Sequence, residues 1–192
     1  KKIPALIFIY YGIIIRLSTM SFIKISAGIF LVLAASRFIP HPPNFTSLLA
    51  LAFYVPIFFG IKFIPVLILC FAITDLFIGI HSLSIFTWGS LIVIGMLTKY
   101  FYSGIFSRIL GSLLGATIFF IITNYGVWTT SGMYDYTLEG LLLCYTLAIP
   151  FFTYSLISTF IFSSIFEGSN RLISKFNIFT VKKGLISKNY KF

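Results

Sequence analysis

Residues 70–81, CFAITDLFIGIH, hold one acidic side chain, Asp75, in the middle of an otherwise apolar run. No other stretch constrains the fold as tightly. A carboxylate in such surroundings is costly to desolvate, so the rest of the chain must bring it a partner or a polar cavity. At membrane depth an ionisable group is a functional-site candidate by default.

Composition places that run in a membrane. The chain is 59% hydrophobic and 9% charged, with a mean hydropathy of +1.05, too apolar and too poor in charge for a soluble domain of 192 residues. In this context the formal net charge of +10 marks a cytoplasmic membrane surface, and no nucleic-acid partner is expected. Cys70 and Cys144 lie in apolar runs without CxxC or histidine spacing. Neither a disulfide framework, a metal site nor a cofactor is expected from them.

Hydropathy and chain breakers predict an all-α integral membrane protein, a bundle of six transmembrane helices over residues 25–36, 45–60, 63–80, 85–97, 106–123 and 138–165. The first ends at Arg37 and the loop FIPHPPNF, whose prolines 40, 42 and 43 cannot continue a helix. Asn44 or Thr46 is positioned to cap the second. Gly111 and Gly115 form a GxxxG in the fifth, the signature of close helix packing. Pro150 interrupts the sixth and predicts a kink.

Three regions are expected. Residues 1–19 read as a leader or interfacial segment, with Met20 the expected initiator; residues 20–166 form the membrane domain; residues 167–192 form a basic, solvated cytoplasmic tail. With alternating helices, Lys24, Lys62, Lys99, Arg108 and six basic residues of the tail fall on one side, and Arg37 alone on the other. The positive-inside rule then puts both ends in the cytoplasm, at a bacterial inner membrane.

The same alternation gathers the unusual polar residues at the external end: His41, Asn44, Asp75, His81, Asn124, Trp128, Tyr134, Asp135 and Glu139. Apolar walls with a few polar groups and rings are what a small-molecule pocket needs. His41, Asn44, Asp75, His81, Asn124, Trp128 and Tyr134 are the candidate solute-binding residues, with Asp75 and the histidines as polar anchors and Trp128 as a stacking wall. Plainer roles exist for each. Asp75 can pair with Arg37 or His81, Asp135 and Glu139 can serve a helix N-terminus, and Trp128 and the tyrosines can be interface anchors. No nucleophile stands beside a base and no metal-ligand spacing occurs, so the expectation is a protein that is not an enzyme.

The segments RFIPHPPNFT, TDLFIGIH, FFIITNYGVW and EGLLLCYTLAIPFF resemble the motif series of a bacterial family of small uncharacterised membrane proteins. The likeness covers about residues 37–166, and Pro-His-Pro-Pro-Asn-Phe is its most specific part. That family is distantly similar to the substrate-binding S components of energy-coupling factor (ECF) transporters. The resemblance implies a membrane-embedded subunit that takes up a small extracytoplasmic solute, a vitamin-like molecule or a metal-containing compound, alongside a transmembrane coupling protein and ATPase subunits. Ala27, Gly28, Ala34 and Ala35 do not reproduce the AxxxA docking pattern of those S components. The alternative expectation is a non-transport scaffold of an envelope or cell-shape complex, of the MreD-like kind.

Overall fold

The computed structural model describes the backbone of residues 3–80 and 82–188 and the side chains of residues 19–80 and 82–175. Six helices follow one another: α1 Ile3–Phe38, α2 Leu48–Phe59, α3 Ile64–Ile78, α4 Ser84–Leu97, α5 Ile105–Thr130 and α6 Leu138–Lys188. Short 3-10 turns, Ile61–Phe63 and Thr98–Tyr100, precede α3 and follow α4, and there is no strand among the described residues. Each short connection reverses the chain. Arg37 at the end of α1 therefore meets Asp75 near the end of α3, and Arg108 in the first turn of α5 meets Glu167 of α6.

The turns explain where helices stop. The Phe45 amide donates to the Pro42 carbonyl at 3.0 Å, closing a turn with Pro43 and Asn44 at its centre. Asn44 has φ +62°, a left-handed conformation that asparagine tolerates better than most residues. The Thr46 hydroxyl then accepts the Leu48 amide at 3.4 Å, so Thr46 serves the helix start while Asn44 serves the turn. Gly60 at φ +91° ends α2, and Gly79 at φ +127° ends α3 just after Asp75.

Four segments are long and apolar enough to cross a bilayer: Thr19–Phe38, Ile61–Ile78, Ile105–Thr130 and Leu138–Lys175. Six such spans were expected. The difference lies in α2 and α4, whose 12 and 14 residues reach only about 18 and 21 Å at 1.5 Å per residue, against a hydrocarbon core of about 30 Å. For α2 the reason is visible in its surroundings. Leu48 to Pro56 are buried without interruption, and the helix touches α1, α3, α4, α5 and α6. A helix enclosed by protein need not match the thickness of the bilayer.

Small residues and hydroxyls bring the other helices close. A Cβ at Gly111 would stand 2.6 Å from Phe101 Cγ and 2.7 Å from Phe53 Cζ, and one at Gly115 would stand 3.0 Å from Ile94 Cγ2. The GxxxG therefore lies where α5 meets α2 and α4. Ser36 and Ser47 share a 2.7 Å hydrogen bond between α1 and the start of α2, and Ser112 and Ser163 one of 2.9 Å between α5 and α6. Such bonds hold apolar helices in register where hydrophobic burial does not distinguish one face from another.

The helix α6 runs past residue 165, where the sequence placed its end. Pro150 lies within the helix, which continues through it, and the backbone remains helical to Lys188. Glu167 does not begin a solvated tail. It is 4% exposed, and its carboxylate accepts Arg108 Nε at 2.5 Å and Nη2 at 2.8 Å. A lone glutamate is polar in any local reading; a bidentate arginine on a neighbouring helix is what permits its burial.

Candidate functional site

Asp75 is 1% exposed, and both of its oxygens are occupied. Arg37 Nη2 donates to Oδ1 at 2.7 Å and the Trp88 indole donates to Oδ2 at 3.1 Å. Arg37 Nη1 also donates to the Thr74 hydroxyl, and the guanidinium carbon lies 4.4 Å from the centre of the Phe71 ring. Thr74 passes its own proton to the Phe71 carbonyl at 2.7 Å. The cluster joins α1, α3 and α4. Its geometry is that of the structural ion pair, with Arg37 the partner chosen, and Asp75 does not line the neighbouring cavity.

That cavity, of about 460 Å³, opens beside the cluster, between the loop at Pro43 and Asn44, the start of α4, the second half of α5 and the first half of α6. Its volume lies in the range of small-molecule sites. Phe119, Phe120, Phe151 and Phe152 form much of the wall, with Leu83, Val127, Met133, Leu147 and Ala148. Phe120 stacks on Phe152 with centroids 4.4 Å apart. The polar lining is uncharged: Asn44, Thr87, Thr123, Asn124, Tyr134, Cys144 and Ser155.

Helix geometry orients these groups. Thr87, Thr123 and Ser155 donate their protons to carbonyls of their own helices, which leaves oxygen lone pairs as acceptors. Asn124 Nδ2 donates to the Phe120 carbonyl at 2.8 Å, leaving its Oδ1 without a partner among the described residues. The Cys144 thiol points at the Asn124 carbonyl at 3.5 Å. The amides of Asn44 and Asn124 and the Tyr134 hydroxyl are the groups able to donate to a guest.

Three of the residues expected from sequence, Asn44, Asn124 and Tyr134, are thus brought together. Asp75, His41 and Trp128 do not line the cavity. His41 is exposed, its Nδ1 2.8 Å from the Pro42 carbonyl. Trp128 donates its indole proton to the Asp135 carbonyl at 2.9 Å and packs edge to face with Tyr136, which in turn donates to the Thr129 carbonyl. This aromatic group folds the connection onto the end of α5. His81 lies outside the described residues. Glu139 stands in the first turn of α6, where Thr137 accepts the Gly140 amide at 3.1 Å, the dipole role open to it from sequence. The threonines, Ser155, Cys144 and the phenylalanines were not singled out in the sequence. A hydroxyl or amide inside an apolar helix is the one signal that could have marked them, and many residues carry it for packing alone.

Long apolar helices, buried ion pairs and an uncharged cavity toward one end give this fold the character of a helical integral membrane protein. The chain belongs to a family of unknown function (DUF6580), whose family model matches residues 18–181. No curated protein and no solved structure matches it.

Proposed function

We propose that the protein is a membrane-embedded binding subunit for uptake of a small solute, similar in kind to the S components of ECF transporters. The observation that carries this reading is the cavity of about 460 Å³ with Asn44, Asn124 and Tyr134 in its wall. A scaffold has no need of a cavity there. Because no charged side chain lines it, the guest that suits it is a neutral, largely apolar molecule with a few hydrogen-bonding groups, closer to a vitamin-like solute than to a metal-containing compound. In this reading the cavity faces outward at the cytoplasmic membrane of a bacterium, and a coupling protein with ATPase subunits supplies the energy.

One observation favours the second reading, a scaffold of an envelope or cell-shape complex. The most conspicuous polar residues, Asp75, Arg37 and Trp88, are engaged with one another. Native mass spectrometry of the detergent-purified protein separates the two, with Asn124→Leu and the cavity-filling Ala148→Phe as controls. A small retained mass that both variants lose supports the binding subunit. If candidate vitamins added back are retained by neither the native protein nor the variants, the scaffold reading prevails.

A further inference from the structure

A second concavity, a groove of about 600 Å³, runs between α1, α2 and α6 at the opposite end of the bundle from the cavity. Its walls are apolar, built from Gly28 and Val32 of α1, Val55 and Phe58 of α2, and Phe166 and Ile173 of α6. Lys24, Ser169 and Asn170 also line it. Lys24 lies one helical turn before Gly28 on α1, and Ser169 and Asn170 lie between Phe166 and Ile173 on α6, so each borders an otherwise greasy channel.

The charge there has no answer within the chain. The sequence holds four acidic residues against fourteen basic ones. Asp75 and Glu167 are each engaged by an arginine, and Asp135 and Glu139 lie in or just after the connection between α5 and α6, at the far end. No acidic side chain is left for Lys24, which is exposed, so an anionic headgroup can approach it without a competing carboxylate. Tyr54, 1% exposed, lines the groove, and its hydroxyl is buried without a hydrogen bond. The Glu167 carboxylate and the Ser163 hydroxyl lie near it, and the carboxylate that holds Arg108 keeps lone pairs able to accept from it.

We infer that this groove is a site for one anionic phospholipid, its phosphate at Lys24, Ser169 and Asn170 and an acyl chain along the walls toward Val32. An apolar channel with one cation at its end matches an amphiphile carrying a single negative charge, and an acyl chain buries its length against the apolar side chains of the walls. The inference rests on the groove and the acid count, and stands whether or not the cavity takes a solute.

The test is native mass spectrometry of the full chain in mild detergent with equal amounts of phosphatidylglycerol and phosphatidylcholine of the same acyl chains. One retained phosphatidylglycerol is expected, several-fold favoured over phosphatidylcholine. Lys24→Gln should reduce that preference about fivefold, the weight of one lysine at an anionic surface. Gly28→Trp should remove the retained lipid, since a side chain built there meets nothing within 4 Å and extends into the groove. Circular dichroism melts report whether that variant folds, and Ile173→Trp, at a position 61% exposed, blocks the groove from α6 if it does not. Equal retention of both lipids by the native protein, or retention unchanged by the groove-filling variants, would overturn the proposal. A lipid-free dimer that Gly28→Trp dissociates would overturn it in favour of a second copy of the chain.

Discussion

Arg37 and Asp75 show how one pair can account for a residue that sequence marks as the centre of function. The carboxylate holds Arg37 and Trp88, and Arg37 also holds Thr74. Asp75→Asn leaves Arg37 without a counter-charge in a site where its side chain is 13% exposed. The expected loss is about 3 kcal/mol, the lower end for breaking one side of a buried pair. Replacing both partners, Arg37→Met with Asp75→Leu, should recover most of it, because no lone charge then remains. Unfolding in detergent, followed by circular dichroism, measures both. A single variant as stable as the native protein would refute the structural role. The sequence marked Asp75 as needing a partner; it left open whether Arg37, His81 or a solute was that partner, since residues 38 positions apart have no local signal of contact.

Among the elements, α2 and α5 carry the fold. The core helix α2 is buried over most of its length, and α5 presents glycines to its neighbours. Gly126 is the tightest of these against a side chain: an added Cβ would meet Phe86 Cγ at 2.5 Å and Phe86 Cβ at 3.0 Å. Gly126→Ala should therefore destabilise the protein by about 1–3 kcal/mol through overpacking, and it shifts the helix that bears Asn124. Gly28→Ala on α1 meets nothing within 4 Å and should be neutral or slightly stabilising, by the helix propensity alanine adds. Thermal melts of the two variants side by side decide this, and equal effects would remove the packing argument. Most helices were legible as apolar runs bounded by Pro, Gly or charge. The shortness of α2 was not, because apolar residues continue past its C-terminal end at Ile61 and Phe63 and only Gly60, at positive φ, cuts it there.

At the scale of the molecule the chain is polarised. Arg108 and Glu167 meet at one end of the bundle, and Arg37 and Asp75 at the other. Reporter fusions or cysteine labelling in intact bacterial cells should find the connection around Lys62 and the end of α6 in the cytoplasm and the loop at His41 outside, as the basic residues require. Labelling of the His41 loop from the cytoplasm would reverse the orientation and, with it, the side to which the cavity opens.

The sequence by itself determined the class of protein, the helices' approximate places, the excess of cations over acids and the gathering of Asn44, Asn124 and Tyr134 toward one end. These follow from local hydropathy, chain breakers and the alternation of helix direction. Only the tertiary structure decided that Asp75 belongs to Arg37, that Glu167 is buried against Arg108, and that threonines and phenylalanines of α4, α5 and α6 enclose the cavity. The physical reason is that these helices are apolar on nearly every face. Hydropathy then says that a segment is buried in lipid or protein without saying which face meets which neighbour, and that choice is made by hydroxyls, glycines and ion pairs that match only once the helices are packed.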